Sequence, residues 1–142
     1  MKELIAMSQV RDIMQKKVIT IELQRTVQDA AVMLKEKHIS FVVVVKDSKP
    51  VGVISERDIV GKIVAENVDS KSTQLEVIMS KNFKWVEPNA SIESAVQKML
   101  NNNIRRLVVL DDEKLAGVIT QTDLTEFLRS KILINATVEN RE

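Results

Sequence analysis

The feature that most constrains this chain is that it is written twice. A shift of 65 positions carries Ile13-Met14 onto Ile78-Met79, Ala30 onto Ala95, Ile39 onto Ile104 and Val43-Val44 onto Val108-Val109. The same shift takes Gly52 to Gly117 and Asp58 to Asp123 without a gap. Positions 8–60 against 73–125 give 15 identical pairs in 53, where unrelated sequences would give about three or four. Two copies of this length are too few and too long for a solenoid. Half of the chain would be marginal alone, so the two copies are expected to share a core.

Each copy carries the same order of signals. Gln9 to Met14 spaces its apolar residues as a short helix. Val18-Ile19-Thr20-Ile21 is a short β-rich run. Thr26 with Asp29 reads as a capped helix start, and Val27, Ala30, Ala31 and Leu34 follow helical spacing. Phe41 to Val45 is a nearly continuous β-branched run, hence a buried strand. A polar turn over Lys46–Pro50 leads into a strand over Val51–Ile54, and the two strands read as a hairpin. From Ser55 a helix is expected to about Ala65. The limits that follow are one unit over 8–66, a polar linker over 67–72, a second unit over 73–132 and a polar tail over 133–142 expected to fray.

The most informative stretch is Gly52-Val53-Ile54-Ser55-Glu56-Arg57-Asp58, which returns as Gly117-Val118-Ile119-Thr120-Gln121-Thr122-Asp123. A strand runs into a helix, with a hydroxyl and a carboxylate at the junction. Two readings stand side by side. The pattern is that of a capping box, with Asp in place of the usual Glu or Gln. The same junction presents backbone N–H groups and a positive helix end, a place where a phosphorylated ligand can sit.

Composition narrows the function classes. The chain has 142 residues, 44% hydrophobic and 29% charged, as in a globular protein. A net charge of +1 supplies no field for nucleic acid or anionic membrane. Cysteine is absent and His38 is the single histidine, which excludes disulfides, thiol catalysis and a multi-histidine metal site within one chain. No apolar run reaches membrane-span length, and the N-terminus does not read as a signal peptide, so a cytoplasmic setting without membrane insertion is expected. No histidine–carboxylate pair at motif spacing and no Walker-type loop is present, so the chain does not read as an enzyme and no catalytic cofactor or metal is expected.

The ordered set, present twice, resembles a tandem pair of CBS domains. The Ile-Met start, short strand, Ala-containing helix, Val-rich hairpin and Gly-h-h-Ser/Thr-x-x-Asp junction carry the resemblance, which covers about residues 8–130. It implies an α+β fold of two βαββα units in a pseudo-twofold arrangement, with sheets packed together and flanked by helices. It further implies a stand-alone regulatory module, commonly a homodimer, that binds AMP, ADP or ATP in clefts between the units and signals to a regulated partner protein. S-adenosylmethionine as ligand, or a dimeric interaction scaffold with vestigial pockets, are the alternatives.

Carried over residue by residue, the resemblance places Asp58 and Asp123 on the ribose hydroxyls, with Ser55 and Thr120 near ribose and phosphate. Val18, Ile19 and Thr20, and Lys84, Trp85 and Val86, would border the adenine. Arg105 and Arg106 would reach phosphate, and Arg57 and His38 are further phosphate candidates. The chemistry agrees, since a carboxylate accepts both hydrogens of a cis-diol and guanidinium groups suit phosphate. Each of these residues also has a plainer role. Arg105 and Arg106 read as exposed or snorkelling strand residues, Trp85 as a core or rim aromatic, and Arg57 and His38 as solvated surface. The copies differ: Thr20 is matched by Trp85, Ser40-Phe41 by Arg105-Arg106 and Arg57 by Thr122. The convergence of Arg105, Arg106, Thr120 and Asp123 favours the second site, while Arg57 keeps the first open, and the differences leave open whether one site or both is used.

Overall fold

The computed structural model describes residues 2–139, with side chains described for residues 5–133. The chain forms two compact units whose limits are not those of the repeat. One is contiguous, Val18–Phe83, and the other is composite, Met1–Lys17 with Lys84–Glu142.

The composite unit opens with α1 (Lys2–Met7) and α2 (Val10–Ile13). The contiguous unit then runs β1 (Thr20–Glu22), α3 (Val27–Lys37), β2 (Phe41–Lys46), β3 (Lys49–Ser55), α4 (Glu56–Ile59), a π-helical turn (Val60–Val64) and α5 (Leu75–Ile78). The chain returns to the composite unit with β4 (Trp85–Val86), α6 (Ile92–Asn102), β5 (Arg106–Asp111), β6 (Lys114–Thr120) and α7 (Gln121–Glu139). The molecule is therefore α+β, with two three-stranded sheets ordered β1-β2-β3 and β4-β5-β6. In each, the first pair is parallel and the second antiparallel.

The hairpins close through two residues each, Asp47-Ser48 and Asp112-Glu113, all at positive φ, as a right-twisting two-residue turn requires. A register shift at Val44/Val45 and again at Val109/Leu110 bends the hairpin at the same place in both copies. Thr26 and Asp29 form the reciprocal capping box that their spacing predicts on α3, and Ser91 caps α6. His38 and Asn103 occupy equivalent left-handed positions just past α3 and α6.

The cores explain the unit limits. Ile21, Val27, Ala30, Leu34, Val42, Val44 and Ile54 pack with Leu75, Ile78 and Met79. Thus α5, the lead-in of the second copy, completes the core of the first copy's sheet. In the composite unit Val10, Ile13 and Met14 join Val86, Ile92, Ala95, Leu107, Val109 and Ile119. Backbone pairing seals the exchange. Val53 and Ser80 exchange hydrogen bonds of 3.1 and 2.9 Å, and Gln15 and Val118 exchange bonds of 2.8 and 3.0 Å. These bridges also cover the outer edges of β3 and β6.

Three local differences from the sequence reading have physical causes. Strand β1 is Thr20–Glu22, displaced from Val18–Ile21 because its partners are Val43, Val44 and Val45 of β2. The linker 67–72 is held in place, since Ser70 O accepts from Gln28 N of α3's first turn at 3.0 Å and Ser70 Oγ meets Gln28 Oε1 at 2.6 Å. The stretch read as a frayed polar tail continues α7 to Glu139, because it holds neither Gly nor Pro. Residues 140–142 lie outside the described residues. No described helix is long and apolar enough to cross a membrane.

Candidate functional site

Gly52 and Gly117 begin the two junctions, and their role is steric. A Cβ on Gly52 would stand 2.6 Å from Met79 Sδ, and one on Gly117 would stand 2.7 Å from the Gln15 carbonyl oxygen and 2.9 Å from Met14 Sδ. The Ile-Met signature and the junction glycine are thus two sides of one contact. The lead-in methionine lies over the strand that delivers the hydroxyl and the carboxylate.

At the first junction Ser55 N donates to Asp58 Oδ2 at 2.8 Å, and Ser55 Oγ donates to the same oxygen at 3.0 Å. Asp58 N returns a bond to Ser55 Oγ at 3.2 Å. The cap therefore uses one carboxylate oxygen. The other, Oδ1, meets Lys62 Nζ at 3.2 Å, and Lys62 Nζ also donates to Ile78 O at 2.8 Å.

The second junction repeats the cap. Thr120 N donates to Asp123 Oδ2 at 2.9 Å, and Asp123 N donates to Thr120 Oγ1 at 3.2 Å. Here Oδ1 accepts from Gln15 Nε2 at 3.1 Å. Asp123 lies on the rim of an open depression of about 530 Å3 that also exposes Asp12, Glu126, Phe127 and Lys131.

The strand starts sit beside the junctions. Ser40 O accepts from Glu56 N at 2.9 Å, and Arg105 O accepts from Gln121 N at 2.8 Å. The β2 and β5 entries are thereby tied to the helix starts, which brings Arg105 to the second junction through its backbone. Its side chain is exposed, and that of Arg106, opposite Thr120, is half-buried. Ile19 O and Lys84 O accept from Val43 N and Val108 N at 3.4 and 3.3 Å, so the Val18-Ile19-Thr20 and Lys84-Trp85-Val86 segments run parallel to the strands that lead to the junctions. Val18 and Ile19 are half-buried, Thr20 and Lys84 exposed, and Val86 buried. Trp85 is 43% exposed, and Lys98 Nζ lies 5.6 Å above its ring and 2.6 Å from its carbonyl oxygen.

Arg57, in the first turn of α4, is exposed. His38 is exposed, and its backbone ends α3 through bonds to Leu34 O and Lys35 O. Two residues that hold the carboxylates escaped the sequence reading. Lys62 stands four residues after Asp58 on a helical segment, a spacing that brings opposite charges together and was legible. Gln15 lies 108 positions from Asp123, and nothing local announces it.

Comparison with known proteins agrees with this architecture. The CBS domain family model matches residues 10–65 and 75–130. The chain is 33% identical over 118 residues to the CBS domain-containing protein YhcV of Bacillus subtilis, covering 83% of this chain and 84% of that one. It is 34% identical over 121 residues to a homoserine O-acetyltransferase of Methanohalobium evestigatum, covering 84% of this chain but 24% of the longer protein. Among solved structures it resembles the CBS domain pair of protein MJ0100, in complex with 5′-methylthioadenosine and S-adenosyl-L-methionine, with a TM-score of 0.79 at 28% identity over 87% of this chain and 98% of that one. With two family matches, a relative of matching length and a sheet, cap and lead-in arrangement repeated in both halves, the chain belongs to the CBS domain family as a tandem pair.

Proposed function

We propose that this protein is a non-catalytic regulatory module that binds an adenosine-containing ligand, foremost an adenine nucleotide, at its strand–helix junctions and signals occupancy to a partner protein. One observation carries the reading. Each junction aspartate spends Oδ2 on its own helix cap and turns Oδ1 toward a donor on a movable side chain, Lys62 or Gln15. A ribose diol offers a donor pair that can take the place of that side chain, and a hydrogen bond to a charged group contributes about 1.5–3 kcal/mol. The adenosine derivatives bound by the MJ0100 domain pair support the ligand class. A ligand of this kind shifts a conformational equilibrium only by its differential affinity for the two states.

The test is calorimetry on the full chain with AMP, ADP, ATP and S-adenosylmethionine. Asp123→Asn keeps a carbonyl oxygen for the Thr120 cap but puts an amide donor where Oδ1 accepts. We expect thermal stability close to that of the parent and ribose-dependent affinity at that junction lower by about tenfold or more. Unchanged affinity would leave Asp123 a cap alone, and no binding of any of the four ligands would remove the reading. Nucleotide turnover by the pure protein would overturn its non-catalytic part.

Exposed apolar residues favour a second reading, as an interaction scaffold that is itself a homodimer. Val60 and Val64, four residues apart on the π-helical turn, are 61% and 70% exposed. Partner capture that is indifferent to nucleotide and lost in Val64→Glu would favour that reading.

A further inference from the structure

The two junctions hold their aspartates by different chemistry, and the difference is built from exchanged positions. The counterpart of Lys62 in the second copy is Phe127, and the counterpart of Gln15 is Ser80. The first junction thus has a cation where the second has an aromatic ring, and the second has a long amide where the first has a short hydroxyl. Asp58 Oδ1 faces an ammonium and Asp123 Oδ1 a neutral amide. The Asp58 side chain is 15% exposed and that of Lys62 49%, so the ion pair is shielded on the carboxylate side and open on the lysine side.

Resting on the reading of the junctions as riboside sites, we infer that Lys62 is a specificity-determining residue that makes the first junction selective for phosphorylated ribosides, while the second junction takes no such preference from Gln15. An uncharged riboside that brings its diol to Asp58 Oδ1 displaces the ammonium and offers it nothing in return. A phosphorylated one carries an anion of its own. The lysine stem is flexible and its head is a compact charge with three donors, so Lys62 can leave the carboxylate and meet a phosphate within the same site. The bond from Lys62 to Ile78 O occupies one donor and anchors the head near the junction during that exchange. At the second junction the displaced group is neutral, and its release costs the same whatever charge the ligand carries.

The experiment uses the full-length chain with Asp123→Asn to silence the second junction, titrated with AMP and with adenosine. We expect AMP to bind about tenfold more tightly than adenosine, as a charge-assisted contact implies. Adding Lys62→Met should tighten adenosine, weaken AMP and bring the ratio near one, whereas Lys62→Arg should keep the preference. Rising salt should erode the preference in the Lys62 protein and leave Lys62→Met unaffected, a readout that a merely structural lysine would not give. A ratio untouched by Lys62→Met, or losses shared equally by both ligands, would overturn the role of Lys62 while leaving riboside binding intact. No binding of either ligand by the unmutated chain would instead remove the functional reading itself, and this inference with it.

Discussion

At the junction glycines, single atoms decide what is tolerated. The obstacle to a Cβ on Gly117 is a backbone oxygen, Gln15 O, held in a two-bond bridge to Val118. The obstacle at Gly52 is the Met79 side chain, nearest at its Sδ. A thioether swings aside and a paired carbonyl does not. Gly117→Ala is therefore expected to cost about 1–3 kcal/mol, and Gly52→Ala less, with Met79→Leu changing the Gly52 penalty and not the Gly117 one. Urea unfolding of the parent, the three single variants and the two double variants checks the order, and equal penalties would contradict it. A second residue-scale expectation concerns Asp69. A hydrogen bond from the Ser72 hydroxyl, and next one from the Lys71 amide, hold its carboxyl below the ordinary 3.8. A depressed folded value means that this contribution to stability is present above the unfolded value and fades as pH falls through the folded one. An NMR titration should show a midpoint below 3.8 that rises in Ser72→Ala. Sequence spacing made the caps readable at this scale, because they join residues three apart. It did not reveal why glycine is needed, since the atoms that require it belong to the other copy.

Among the elements, the segment after the first junction departs most from the expected form. The helix over 56–65 becomes α4 followed by a π-helical turn, Val60–Val64. Within that turn a methyl group added to Gly61 would meet nothing within 4 Å, and the residue has no positive φ. Neither sterics nor backbone conformation requires glycine there. Gly61→Ala is accordingly expected to stabilise the protein by about 0.5–1 kcal/mol by restricting the unfolded chain. A chemical-denaturation midpoint that falls would show that the turn needs glycine for a reason not seen in its contacts. Element type and order were legible throughout, because they rest on local periodicity and caps. Element ends were less so. Where β1 begins is set by its partners on β2, and where α7 stops is not marked by any breaker in the sequence.

For the whole molecule, the decisive fact is that each unit is completed by the other copy's lead-in. The contiguous unit, Val18–Phe83, contains its entire buried cluster, including Leu75, Ile78 and Met79. A fragment cut at the repeat limits, 8–72, retains α2 and lacks all three. The fragment 18–83 is therefore expected to unfold more cooperatively than 8–72 in thermal circular dichroism. The reverse order would mean that the lead-in helices contribute little to either core. Binding measurements at the second junction belong to the intact chain, since Gln15 lies before the crossing at 17/18 and Asp123 after the crossing at 83/84.

Taken alone, the sequence determined the duplication, the order of strands and helices, the family and the two acidic junctions, because each is encoded by residues a few positions apart or by one copy's likeness to the other. The tertiary structure alone decided which lead-in fills which core and which donor holds each outer carboxylate oxygen. The reason is physical: two similar copies bury the same pattern of apolar residues whether a lead-in packs on its own sheet or on its twin's, so periodicity is blind to the choice. Only the close fit of Met79 on Gly52 and of Met14 on Gly117, with the backbone bridges beside them, distinguishes the two.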